Sequence, residues 1–231
     1  MKILSIDTSS KICGVAVLEN ETLLKEISQD NRLSHSEKLM PIIKEILESI
    51  NSTLNDIDLI VCDKGPGSFT GIRIGVATAK AFSDSLNIQT IGISSLEALA
   101  YNVKTYNVIC PLIDAKNDNV YVGVFENIDK NYILRRDFSC ENISNLLAEF
   151  KDAEYSVTFV GDGAIAYKEK IISELGDKCN FVENNDLSSF NLGLAGLAHL
   201  KKEDLCDVTP LYLRKPQAER MLETNNKKKI N

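Results

Sequence analysis

Two histidines, His35 and His199, are all that the 231 residues offer to a metal site or to a histidine-based catalyst. Neither has a histidine or cysteine partner at ligand spacing. Leu39 stands four residues after His35, and no Cys-x-x-Cys pair occurs among the six scattered cysteines. Zinc-type chemistry therefore has no framework in this sequence. Cys13 and Cys62 fall inside apolar runs, the pattern of buried reduced thiols in a cytoplasmic protein rather than of a disulfide scaffold. No apolar stretch reaches the ~20 residues that a membrane-spanning helix requires, and the opening "MKILSIDTSS" reads as a strand rather than a signal peptide. Positive charge is also scarce: 26 Lys plus Arg against 33 Asp plus Glu leave a net charge of −7. A protein whose main task is gripping nucleic acid carries a basic surface, so the balance speaks against a primary RNA-binding module.

What is present is one order of elements written twice. In the first half, "KILSID" (2–7), "CGVAVLE" (13–19) and "TLLKEIS" (22–28) read as strands. A helix over 34–50 follows, with Ser34 as N-cap and Glu37 at the capping-box position. Then come a strand at 58–63, a glycine loop, a helix over 70–86, a strand at 90–94 and a helix over 95–103. The second half gives strands at 107–114, 119–126 and 132–138, a helix over 141–151, a strand at 156–163 and a helix over 164–175. A strand at 180–183 and a helix over 189–202 complete it. Ile6-Asp7 aligns with Ile113-Asp114, and Gly65-Pro66-Gly67 with Gly161-Asp162-Gly163. Such agreement predicts two α/β lobes with mixed sheets, 1–104 and 105–219, related by internal duplication, and a basic, disordered tail over 220–231. This is the plan of the actin/Hsp70-like (ASKHA, ribonuclease H-like) ATPases, whose nucleotide lies between the lobes against the turns after the first strands. Asp7-Thr8-Ser9 and Asp114-Ala115-Lys116 occupy those turns. Asp7 is then either a magnesium- or water-positioning carboxylate or a turn residue bonded to the backbone ahead of it.

The glycine loop, "GPGSFTGIRIG" (65–75), poses the same choice. It has one residue too many for a dinucleotide fingerprint and no lysine for a P-loop, and Pro66 removes one amide from the turn. One reading is a tight turn whose glycines let a strand and a helix pack closely. The other is a weak phosphate site formed by Asp7, Thr8, Gly65, Gly67, Ser68, Thr70 and Arg73 at the helix start. The loop's serine and threonine have neither a nearby histidine nor a G-x-S-x-G elbow, so no nucleophilic constellation is visible.

"MKILSIDTSS", "HSEKLMPIIKEIL" (35–47), "GPGSFTGIRIG", "GISSLEALA" (92–100) and "PLYLRKPQAE" (210–219) together resemble the TsaB (YeaZ-type) family, from the first residue to about Glu219. The resemblance implies a non-catalytic scaffold that binds and activates a TsaD-type transferase as a heterodimer. That machinery forms threonylcarbamoyladenosine next to the anticodon of tRNA. It implies a TsaE-type ATPase as third member, a homodimer when the chain is alone, and tRNA met only indirectly. The chain is expected to hold no cofactor or metal of its own, with ATP or ADP at the interface of the complex left open. The competing reading is a free-standing ATPase or small-molecule kinase of the same fold.

Two helices carry apolar surface in excess. In the first, the apolar residues Leu39, Met40, Ile42, Ile43, Ile46, Leu47 and Ile50 span an arc of roughly 160° at 100° per residue. In the second, Ile72, Val76, Ala79, Phe82 and Leu86 form a bulky stripe suited to the lobe's own sheet, with Ile74, Ala77 and Ala81 on the opposite side. Periodicity alone leaves both faces open to cover by the chain itself. The resemblance implies a partner there, with Leu39, Met40, Ile43, Leu47, Ile74, Ala77 and Ala81 as contacts.

Overall fold

The computed structural model describes residues 1–30, 35–105, 108–203 and 207–214. The expected N-cap at Ser34 and the tail over 220–231 lie outside them.

The first sheet is built from β1 (Lys2–Asp7), β2 (Ile12–Glu19), β3 (Thr22–Asp30), β4 (Leu59–Asp63) and β5 (Gln89–Ile93), in the order β3-β2-β1-β4-β5. β1 to β3 form an antiparallel meander, while β1, β4 and β5 run parallel. Parallel neighbours need crossover connections. Helices α1 (His35–Ser49) and α2 (Phe69–Leu86) supply them and lie side by side on one face. β4, "LIVCD", is buried along its whole length, as a central parallel strand covered on both faces must be.

The second sheet repeats the plan. β6 (Val108–Lys116), β7 (Asn119–Ile128), β8 (Asn131–Asn142), β9 (Val157–Val160) and β10 (Cys179–Phe181) take the order β10-β9-β6-β7-β8. Replacing each strand by its counterpart five places on converts one order into the other. Gly65 after β4 and Gly161 after β9 share an unusual backbone, with φ of +97° and +105°. The two-lobed α/β fold expected from the repeat is thus present.

Three apolar cores follow. One lies between the first sheet and α1/α2, and one under α4 (Ile143–Lys151) on the outer face of the second sheet. The third joins the inner faces of both sheets through α3 (Ser95–Ala100) and α7 (Ser189–Lys201).

The sequence order misplaces two features. The helix expected over 164–175 is two, α5 (Asp162–Ala166) and α6 (Lys168–Leu175), broken at Tyr167, whose backbone (φ −111°, ψ 16°) leaves helical geometry. Helix α7 does not stay with the second half. It crosses to the first sheet, packing on β1, β2, β4 and β5, while α3 packs on β6 and β7. Close approach is what makes this fit. A Cβ at Gly193 would stand 2.7 Å from Leu18, and one at Gly196 2.4 Å from Val61. Ser5 Oγ also donates to the Ser189 carbonyl at 2.6 Å.

Candidate functional site

The glycine loop closes on the turn after β1. A Cβ on Gly71 would lie 1.8 Å from the Thr8 carbonyl oxygen, one on Gly67 2.3 Å from that of Ser9, and one on Gly75 2.5 Å from Thr8 Oγ1. Spaced four apart, these glycines, Gly67 in the loop and Gly71 and Gly75 on one face of α2, rest on the Asp7-Thr8-Ser9 segment. Thr8 Oγ1 donates to the Gly71 carbonyl at 2.7 Å, and the Ser68 amide donates to the Ser9 carbonyl at 2.7 Å. The Gly71 amide donates to Ser68 Oγ at 3.2 Å, so the helix is capped by its own loop.

Beneath that contact lies a pair of acids that sequence reading did not join. Asp7 and Asp63 end the parallel strands β1 and β4 one residue beyond the Ile6–Cys62 pairing, and each is 1% exposed. Ser9 Oγ is 2.8 Å from Asp7 Oδ1 and 2.8 Å from Asp63 Oδ2. One hydroxyl has one proton to donate, so it cannot satisfy two carboxylates. Asp63 has the better supply, its Oδ1 accepting from the Gly65 amide at 2.6 Å and from Ser95 Oγ at 2.7 Å. Asp7 Oδ1 accepts from the Ser9 amide at 2.7 Å, but its Oδ2 is buried with no donor facing it. Burial, and then the Asp63 charge, hold the Asp7 carboxyl well above the usual carboxylate range. Burial also raises Asp63, against its several donors. Both shifts favour a proton held within the pair. A signal existed in the sequence: "LSID" and "LIVCD" are adjacent strands that both end in Asp.

This arrangement sets a pH dependence. A carboxyl whose folded pKa exceeds its unfolded value of about 3.9 loses stability as pH rises from there through the folded pKa. Asp7→Asn removes that ionisation while its amide can donate to Asp63. Urea midpoints between about pH 4 and pH 8 are expected to fall with rising pH more steeply in the wild type than in Asp7→Asn, leaving the variant more stable near neutrality. A variant less stable at neutral pH with an unchanged profile would contradict the shared proton.

A cavity of about 890 Å³ opens between the lobes, walled by Ser9, Ser10, Gly67 and Ser68 on one side and by Asp114, Ala115, Lys116 and Asp162 on the other. Among the described residues four carboxyl side chains, Asp30, Asp114, Asp162 and Asp186, line it against two ammonium groups, Lys11 and Lys116. Lys116 is drawn onto Asp114. Burial would lift the Asp114 pKa, but the bonds from Lys116 outweigh it and hold that carboxyl below its usual range. His35, also lining the cavity, contacts the Ser10 carbonyl at 3.1 Å through Nε2, and partial burial pulls its pKa down. A phosphate entering this cleft meets an excess of negative charge.

The expected phosphate contacts mostly point elsewhere. Gly67 and Ser68 border the cleft. Asp7 and Thr8 are sealed in the core, and the Gly65 amide is bonded to Asp63. Thr70 is exposed but does not line the cavity. Arg73 is engaged by the returning chain: its Nε donates to Tyr212 Oη at 2.8 Å, and the Tyr212 ring stacks on Phe69 with centroids 4.5 Å apart. His199 meets Glu97 Oε1 at 2.7 Å through Nε2.

The two excess-apolar helices divide differently from expectation. Leu39, Ile43 and Leu47 are 1%, 1% and 5% exposed and fill the core beneath α1, so the expectation that they meet a partner is corrected. Ile72, Val76 and Ala79 are buried as expected, whereas Leu86 is 38% exposed, one turn beyond the end of the sheet cover. Met40 is 48% exposed, Ala77 and Ala81 are exposed, and Ile74 is half-buried. Met40, Ala77 and Ala81 are therefore part of the outward side of the α1–α2 pair, and Ile74 is half in the core.

Two mixed sheets of matching strand order, with an aspartate near the end of each first strand and a cleft between them, define a two-lobed protein of the actin/Hsp70-like class. A ROK hexokinase from Thermus thermophilus shares that fold, at a TM-score of 0.53 and 9% identity over 87% of this chain and all (100%) of that one. Closer matches resolve the family. The family model described as TsaD, tRNA N6-adenosine threonylcarbamoyltransferase, matches residues 28–229. The tRNA threonylcarbamoyladenosine biosynthesis protein TsaB of Bacillus subtilis (strain 168) is 34% identical over 226 residues, covering 95% of this chain and 96% of that one. YeaZ from Pseudomonas aeruginosa superposes with a TM-score of 0.74 at 25% identity, over 92% of this chain and 99% of that one. The chain belongs to the TsaB (YeaZ-type) family.

Proposed function

We propose that the chain is the accessory subunit of a tRNA threonylcarbamoyladenosine synthase, binding and activating a TsaD-type transferase without chemistry of its own. The observation that carries this reading is the 34% identity to Bacillus subtilis TsaB along nearly the full length of both chains. The match to the TsaD family model supports a homologous partner, since related lobes present related helix faces to each other. The surface of Met40, Ile74, Ala77 and Ala81 is the docking face, its two exposed alanines letting a partner helix approach closely and Met40 and Ile74 adding apolar area beside them. A second copy of the chain takes this face when the transferase is absent, and a TsaE-type ATPase joins the pair. The tRNA is handled through the transferase, in the cytoplasm. Coexpression with the TsaD-type transferase of the same organism is expected to give one heterodimer peak on gel filtration and to make transfer to tRNA dependent on this chain. Separate elution, or equal transfer without it, would overturn the proposal.

The acidic cleft, the self-capped start of α2 and the diverted Arg73 support a further expectation: the lone chain binds ATP weakly, in the range of about 1 mM, and does not turn it over. Calorimetric titration checks this. Low-micromolar affinity, or phosphate release by the purified chain, would favour a free-standing ATPase instead.

A further inference from the structure

A second cavity, of about 460 Å³, opens at the end of β2 remote from the cleft. α7 forms one wall, and the β2–β3 turn, the segment after α3 and the β7–β8 turn form the others. Its floor is apolar, made by Leu194, Leu197 and Tyr132, with Tyr101 stacked on Tyr132 at 4.0 Å. Its rim is cationic. Among the described residues Lys104, Lys130, Lys201 and Lys202 line it against one carboxylate, Glu21, four positive charges to one negative in a chain of net charge −7. Asp129 and Glu203 adjoin the rim in sequence but do not line the cavity.

Glu21 is committed to Lys201. The Lys202 ammonium donates to Asn131 Oδ1 at 2.6 Å, and that of Lys104 reaches Asn191 Oδ1 only at 3.4 Å. A neutral amide satisfies a donor without cancelling its charge. Partial desolvation and then the nearby Lys130 pull the Lys104 ammonium below the ordinary lysine range, so these two cations are close enough to disfavour each other. Like charges gathered from three separate segments around an apolar floor oppose folding unless an anion joins them. Lysines suit a phosphate as point charges, and the volume falls within the range of sites for small organic ligands, ~300–1,000 Å³.

We propose that this cavity binds an organic phosphate, its anionic group held by Lys104 and Lys130 and its body resting on the Leu194–Leu197 floor. The site is separate from the cleft and from the α1–α2 face, and it stands or falls independently of the scaffold reading. The test is titration of the full chain with AMP, with adenosine as the uncharged counterpart, and with an RNA pentamer lacking terminal phosphates. Saturable AMP binding is expected, weakened about tenfold or more by Lys104→Gln and by Lys130→Gln and falling with added salt. Lys11→Gln, in the cleft, should leave it unchanged. Pentamer binding through the same lysines, without AMP binding, would assign the phosphate to a nucleic-acid strand, whereas AMP binding assigns it to a free nucleotide. The proposal is overturned if neither phosphate-bearing probe saturates, if adenosine binds as tightly as AMP, or if Lys11→Gln abolishes binding that both rim variants retain. Circular dichroism of the two variants, which remove only rim charges, verifies that each is folded.

Discussion

Ala81→Arg is expected to eliminate the complex with the transferase while leaving the isolated chain folded. Ala81 is exposed on α2, and arginine is a good helix former, so the single chain has room for it at little cost. In a close helix seam the same guanidinium loses water without gaining a carboxylate. That is worth several kcal/mol, or a loss of at least about a hundredfold in affinity. Ala77→Arg should behave alike. Ile43→Ala provides the opposite signature. Because Ile43 is 1% exposed beneath α1, its truncation is expected to lower folding stability by about 2–5 kcal/mol. Gel filtration reports assembly, and urea unfolding reports stability. If Ala81→Arg unfolds the chain, or coelutes with the transferase as the wild type does, the outward α1–α2 surface is not the interface.

The second large effect belongs to Gly71. Gly71→Ala puts a methyl 1.8 Å from the Thr8 carbonyl oxygen, and the obstacle is backbone rather than the free end of a side chain. Relief requires α2 to lift off the β1 turn, breaking the Thr8–Gly71 and Ser68–Ser9 bonds and uncovering the Asp7–Asp63 pair. We expect a loss of about 3 kcal/mol or more, or failure to fold. Gly176→Ala is the control. Its Cβ meets nothing within 4 Å, so only the cost of its backbone (φ +53°, ψ −126°), a conformation that side chains rarely adopt, remains, about 1–3 kcal/mol. Equal urea midpoints for the two variants would sink the packing account of the glycine loop.

That account also shows what was legible beforehand. Short apolar runs bounded by turns, the repeated Ile-Asp and Gly-x-Gly positions, and the mismatch of "GPGSFTGIRIG" to known phosphate loops are local signals, and local signals survive in a sequence. The contradicted expectations all depended on distant residues. Arg73 was one contact of the weak phosphate site that stood as the alternative to a structural turn, and its partner Tyr212 lies 139 residues further along the chain. Leu39, Ile43 and Leu47 sit on a broad apolar arc, and an arc does not say how much of itself the sheet will cover. Tyr167 breaks a helix that no proline or glycine marks. The Asp7–Asp63 pair needed the parallel register of β1 and β4, which follows only once the crossover is known.

The crossing of α7 has a consequence for how the protein comes into being. The inner face of the first sheet, carrying Ile3, Leu18 and Val61, is covered by Leu192, Ala195 and Leu197. Those covering residues begin roughly one hundred positions after β5 ends. At translation rates of roughly 5–20 residues per second, the ribosome needs on the order of 5–20 s to deliver them. For that interval the nascent first lobe holds a bare apolar sheet face. It is a natural client for chaperones that shelter unfinished surfaces, and the arrival of α7 is what ends the wait.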